Sequence, residues 1–161
     1  MRFSQTRSKA AFSLAELLIA ISIIGILTAI GVPKFGKIRD RASLANATTR
    51  VTRALFAARQ SAIQRGKHAY FRHSNSVIWV IVDTSGNFSA DSIIVTPPVD
   101  LSNNYGVQVT APAGVTSIEY DPRGVSPQAS AKVFQFTHTA SGMQDSLCVS
   151  KLGNTIRAKC P

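Results

Sequence analysis

The sequence predicts an α+β protein in which one long N-terminal helix, its apolar half protruding, packs on an antiparallel β-sheet or sandwich. Three observations carry this. From Phe12 to Val32 the single ionisable residue is Glu16. Leu44, Thr48, Val51, Leu55, Ala58 and Ala62 then recur at helical spacing and form a stripe suited to packing on a sheet. After Gly66 the period drops to two, in segments rich in β-branched and aromatic residues and bounded by Gly, Asn, Pro or Asp. The chain has 161 residues, enough for one globular domain and an appendage.

Arg2, Arg7 and Lys9 form a basic region ahead of the apolar run. A secretory signal has an apolar core of about 7–15 residues followed by a small-residue cleavage site. This run is longer and no such site follows it. About 20 apolar residues span a bilayer, so the length fits a membrane anchor. Glu16 fits neither reading, because a carboxylate in hydrocarbon is costly and such residues serve a function with a partner.

Gly25, Gly31 and Pro33 interrupt an otherwise good helix. In a helix interior each Gly costs about 1 kcal/mol and Pro about 3, so a kink or local melting is expected there. Beyond it the apolar stripe resumes, while Arg41, Arg50, Arg53 and Arg59 fall on the opposite side, facing solvent or neighbours. Gly66 is a stop signal, with Arg65 at the negative end of the helix dipole. One helix from Phe12 to about Arg65 is expected.

The expected strands are His68–His73, Ser76–Asp83, Ser92–Thr96, Tyr105–Thr110, Thr116–Asp121, Lys132–His138, Ser146–Lys151 and Asn154–Lys159. Gly86-Asn87 and Gly153-Asn154 are turn signals. Short strands at this spacing, with no second helical pattern, argue for an antiparallel sheet or sandwich on the helix.

The formal net charge is +10. Lys34, Lys37, Arg39, Arg41, Arg50, Arg53, Arg59, Arg65, Lys67 and Arg72 stand against Asp40 alone. Such a stretch fits the positive-inside rule, anionic lipid headgroups, a nucleic-acid partner or a solvated helix face.

Cys148 and Cys160 flank the Gly153-Asn154 turn, so a cross-strand disulfide is expected outside the cytoplasm. Its closed loop is short, which sets the stabilisation at about 3 kcal/mol or less. There is no glycine-rich phosphate loop, Cys-x-x-Cys or His-Glu-x-x-His. His68 and His73 differ in strand parity and should point to opposite faces, which argues against a metal site. Asp121 and Asp145 read as turn residues. With no nucleophile beside a base, the expectation is a protein that is not an enzyme and has no metal or cofactor.

The run from Ala11-Phe12 through Glu16 to Pro33 resembles the class III signal of type IV pilins and type II secretion pseudopilins. In that family a prepilin peptidase cuts a short basic leader just before a Phe, the new N-terminus is methylated, and the fifth mature residue is Glu. The resemblance therefore implies cleavage between Ala11 and Phe12, N-methylation of Phe12, and subunit assembly through Glu16. One departure is Ala11, where the family has Gly. Glu16 can pair with the ammonium of a neighbouring subunit's Phe12, and a buried pair that loses one member leaves an uncompensated charge, so the pair sets register.

The segment Ala54-Leu55-Phe56-Ala57-Ala58-Arg59-Gln60-Ser61-Ala62-Ile63-Gln64-Arg65-Gly66 is similar to the stretch before the first strand in FimT- and GspH-type minor pilins. Ile118 to Gly124 resembles their strand-turn signature, and Leu147 to Arg157 their C-terminal hairpin. Residues 84–115 match least. The resemblance implies the pilin fold and four parts: leader 1–11, transmembrane and assembly helix 12–33, amphipathic helix 34–66 and a β-rich periplasmic or extracellular domain 67–161. It also implies a single-pass inner-membrane protein before assembly and a pilus or pseudopilus subunit afterwards. Its partners would be other pilins, the prepilin peptidase and the inner membrane.

Some FimT-type pilins bind DNA through Gly-Arg-x-Arg in the C-terminal hairpin. Here Asn154 replaces the first Arg and Arg157 falls one place late. Lys151, Arg157 and Lys159 remain as a possible DNA-binding patch, whose phosphate contacts would be lost steeply with salt. A priming or tip role in a filament and DNA uptake for transformation both stand at this point.

Overall fold

The computed structural model describes residues 12–85, 92–128 and 130–157. The chain forms two compact units, residues 1–38 and 39–161. Helix α1, Leu14–Arg65, supplies the described helical residues of the first and the opening helix of the second. The backbone is helical through Gly25, Gly31 and Pro33, so the expected melting does not occur. A single Pro removes one N–H donor, and the helical turns on either side hold the rest of the ladder.

In the first unit Leu17, Ile21, Ile24 and Leu27 are all exposed. By length and composition the helix contains an apolar stretch long enough to cross a membrane. Its hydroxyls are turned back onto the helix. Ser22 Oγ donates to the Leu18 carbonyl at 2.7 Å and Thr28 Oγ1 to the Ile24 carbonyl at 2.9 Å. That arrangement suits a medium without water.

In the second unit α1 buries Leu44, Ala47, Thr48, Val51, Ala54, Leu55, Ala58 and Ala62, the expected stripe with two further alanines. Gly66, at φ 60°, ends the helix. The strands follow as β1 (Ala69–Ser74), β2 (Val77–Asp83), β3 (Ser92–Asp100), β4 (Val107–Thr110), β5 (Ser117–Tyr120), β6 (Lys132–His138), β7 (Gln144–Val149) and β8 (Thr155–Arg157). They form two antiparallel four-stranded sheets, ordered β3-β2-β1-β5 and β4-β6-β7-β8. Alternation places Phe71, Ile78, Val80, Val82 and Ile118 of one sheet in the same core as Phe134, Phe136 and Leu147 of the other. Phe71 and Phe134 meet edge to face at 6.0 Å across the sheets.

Two elements depart from expectation. β3 continues past Thr96 through Pro97 and Pro98 to Asp100. It is an edge strand, and Val80 pairs with Thr96 while Ile78 pairs with Val99, so both prolines lie opposite Trp79 in a bulge. Prolines are tolerated there because the ladder does not need their missing N–H. A one-turn helix α2, Leu101–Tyr105, follows where none was expected. The Asp100 carboxylate caps it, accepting from Ser102 N at 2.8 Å and Asn103 N at 3.1 Å, and Gly106 at φ 65° closes it. The Gly86-Asn87 turn signal lies outside the described residues.

Candidate functional site

At the N-terminus Ser13 and Glu16 form a reciprocal capping box. Ser13 N and Ser13 Oγ donate to Glu16 Oε2 at 3.2 and 3.3 Å, and Glu16 N donates to Ser13 Oγ at 3.2 Å. The carboxylate also sits at the positive end of the helix dipole. The one charge of the apolar segment is thus held by its own chain, beside an exposed Phe12. Sequence reasoning gave Glu16 a partner in a neighbour and missed Ser13, although Ser-x-x-Glu before an apolar run is the signature of such a cap. Ala11 lies outside the described residues.

The second candidate region is the β7–β8 hairpin. Its turn is closed by Ser150 N donating to the Asn154 carbonyl at 2.8 Å and Gly153 N donating to the Ser150 carbonyl at 2.9 Å. Cys148 is buried on β7; Cys160 and Lys159 lie outside the described residues. Lys151 is exposed in the turn. Arg157, opposite Leu147 on β8, keeps about half of its side chain exposed. Its Nη2 lies 3.5 Å from Asp145 Oδ2 and donates to the Ala45 carbonyl of α1 at 3.4 Å. Lys151 and Arg157 are both exposed on this hairpin. Asp145 is not in a turn: it lies on β7, where its Oδ2 accepts from the buried Thr48 Oγ1 at 3.0 Å. The sequence separation of 97 residues kept that pairing out of local view.

Asp121 is a turn residue, as expected. Its Oδ1 accepts from Arg123 N and Val125 N, both at 2.9 Å, and Oδ2 from Arg123 Nε at 3.0 Å. These bonds, the one from Val125 N foremost, hold its carboxyl below the usual range. The turn delivers Gly124 under Ile63 and Arg59 of α1, where a Cβ would come within 2.6 Å of Ile63 Cδ1. Arg59 Nη1 in turn donates to Asn154 Oδ1 at 2.9 Å. The residue that departs from the DNA motif is thus a structural partner of α1.

The histidines are dispersed. His68 precedes β1 and pairs with Glu119 at 2.7 Å; His73 Nε2 meets the Val115 carbonyl at 2.6 Å. Buried His138 has Asp40 at 3.8 Å and Ser141 Oγ at 3.0 Å. Among the described residues no group of three His, Cys, Asp or Glu is arranged to hold a metal ion.

Residues 47–153 match the family described as type II transport protein GspH, and residues 6–32 match the prokaryotic N-terminal methylation motif. The fold is similar to that of the type IV minor pilin FimU of Pseudomonas aeruginosa. The TM-score is 0.60 at 14% identity, covering 76% of this chain and 92% of that one. It is also similar to the minor pseudopilin EpsH of the type 2 secretion system of Vibrio cholerae, with a TM-score of 0.51 at 14% identity, covering 71% and 94%. No curated protein matches the sequence.

Proposed function

The chain belongs to the GspH family of type II transport proteins, and on that premise we propose that this minor pilin or pseudopilin helps to prime a filament or cap its tip. Residues 1–11 are the leader, cut between Ala11 and Phe12, and Phe12 becomes the N-methylated terminus. Residues 12–33 anchor the chain once across the inner membrane, residues 34–66 form the helix of the periplasmic body, and residues 67–161 complete it. The partners are the prepilin peptidase, the inner membrane and the other subunits of the filament. The role is structural rather than catalytic.

The observation that carries this reading is the exposed apolar stretch of α1, whose one charge is Glu16, the fifth residue counted from Phe12. Apolar surface of this extent needs lipid or other helices. On assembly the Glu16 carboxylate exchanges part of its bonding with Ser13 for the ammonium of a neighbour's Phe12, which fixes axial register. DNA uptake has less behind it, because Asn154 stands where the motif has its first Arg and is bonded to Arg59.

The test is intact-mass and N-terminal analysis of the chain recovered from membranes and from sheared filaments. A chain beginning at methylated Phe12 and present in the filament fraction is the expected result. Retention of residues 1–11, with the chain confined to the membrane fraction, overturns the reading.

A further inference from the structure

A seam runs between α1 and β8, the edge strand of its sheet, and carries two adjoining depressions. One, of about 210 Å³, is lined by Phe56 and Arg59 of α1 with Asn154 and Thr155. The other, of about 270 Å³, is lined by Thr49 and Thr52 of α1 with Thr155 and Arg157. Thr49, Thr52, Phe56 and Arg59 recur every three or four residues and so share one helix face. Phe56 is 62% exposed, an aromatic ring held in solvent beside a sheet edge.

Ser150 N bonds to the Asn154 carbonyl. In an antiparallel ladder bonded pairs alternate, so the next bonded pair is Cys148 with Ile156. The main-chain N–H and C=O groups of Thr155 and Arg157 therefore point away from β7. Among the described residues no strand pairs with that edge. Unpaired edge groups are a template for another strand.

We propose that this seam takes an extended, acidic segment of a different protein, laid as an added strand beside β8 and under the Phe56 face of α1. The two depressions lie on either side of Thr155, as sockets for alternate side chains of one strand must. Main-chain bonds to Thr155 and Arg157 supply the pairing, and Phe56 covers the apolar side. Arg59 and Arg157 line one depression each, and Arg157, half-exposed beside Asp145, keeps guanidinium surface for a carboxylate of the partner. Charge sets the choice of partner: the chain is strongly basic, a formal +10 with its leader, so a second copy brings like charge to an arginine-flanked site. All these residues belong to the second unit, so the surface does not use Phe12 or Glu16.

The experiment measures fluorescence anisotropy of a labelled peptide with the full-length chain in detergent micelles. The peptide has about six residues, the usual strand length, alternating Thr and Val with a Glu near each end. Two controls carry Lys in place of Glu, or N-methyl groups on alternate amides. The acidic peptide is expected to bind and both controls to fail. Thr155→Pro removes one outward donor and spares the Cys148–Ile156 pair, and an edge strand tolerates it. It should weaken binding about fivefold, the equivalent of one main-chain hydrogen bond. Phe56→Ala should weaken it independently. If Thr155→Pro does not fold, the N-methylated peptide tests the same bonds on the unaltered chain. Equal binding of the controls, no binding of the acidic peptide, or self-association of the chain that blocks the seam each overturns the proposal.

Discussion

The ring of Tyr120 lies against the backbone of Gly153, and its hydroxyl donates to the Gly153 carbonyl at 3.0 Å. The contact joins two segments that sequence reading treated separately, the strand-turn at Ile118 to Gly124 and the C-terminal hairpin. Gly153 has φ 79°, and a Cβ there would collide with Tyr120 Cε1 and approach Ser126 Cβ at 3.1 Å. Gly153→Ala should therefore destabilise the second unit by roughly 1–3 kcal/mol from backbone strain, with the steric clash in addition. Denaturant unfolding of the purified chain measures it, and a midpoint equal to that of the unaltered protein counts against this account.

Burial pushes the Tyr120 hydroxyl up to about 12 from 10.0, with Arg59 opposing. Tyr70 also rises to about 12, from burial first and then from the charges of Glu119 and Asp83 and its hydrogen bond with Glu119. A phenol whose folded value exceeds its unfolded value contributes stability that is complete below the unfolded value and lost as pH rises toward the folded one. Stability should thus fall from pH 10 toward pH 12, by about 2 kcal/mol for Tyr120. Tyr120→Phe should flatten that decline and cost about 1 kcal/mol at neutral pH through the orphaned Gly153 carbonyl. An unchanged alkaline slope in that variant is the contrary result.

Asp145 ties α1 to the hairpin through Thr48 and Arg157. Asp145→Ala should cost about 1 kcal/mol, because Thr48 still donates to the Leu44 carbonyl and Arg157 to the Ala45 carbonyl. A double-mutant cycle with Arg157→Ala should show coupling. Strict additivity would mean the guanidinium does not bond the carboxylate in solution.

Ser13 and Glu16 separate capping from assembly. Ser13→Ala removes the cap but keeps the carboxylate, so the chain should still enter filaments. Glu16→Gln keeps a capping side chain but loses the charge, so the chain should reach the membrane and fail to enter filaments beside the unaltered protein. Normal filament incorporation of Glu16→Gln in that competition contradicts the register role.

The Cys148–Cys160 disulfide is expected to form in the exported chain and to stabilise the hairpin by about 3 kcal/mol or less. Peptide mapping without reduction detects it. Two free thiols in protein isolated under alkylating conditions would refute it.

What the sequence determined is what repeats locally. The apolar run with one charge, the stripe from Leu44 to Ala62 and the alternation after Gly66 are periodic along the chain. They therefore announce the helix, the strands and the buried faces without knowledge of what lies opposite. The phased Phe12 and Glu16 are equally local and carried the family. Helix α2 was missed because one turn is too short for a period, although its cap Asp100 and stop Gly106 were legible. Only the tertiary structure decided that β5 lies beside β1, that Arg157 reaches Asp145 and Ala45, and that Arg59 meets Asn154. Those partners stand 95 to 112 residues from α1. A hydrogen bond across that distance follows from how two sheets and a helix share one core, which no periodicity along the chain encodes.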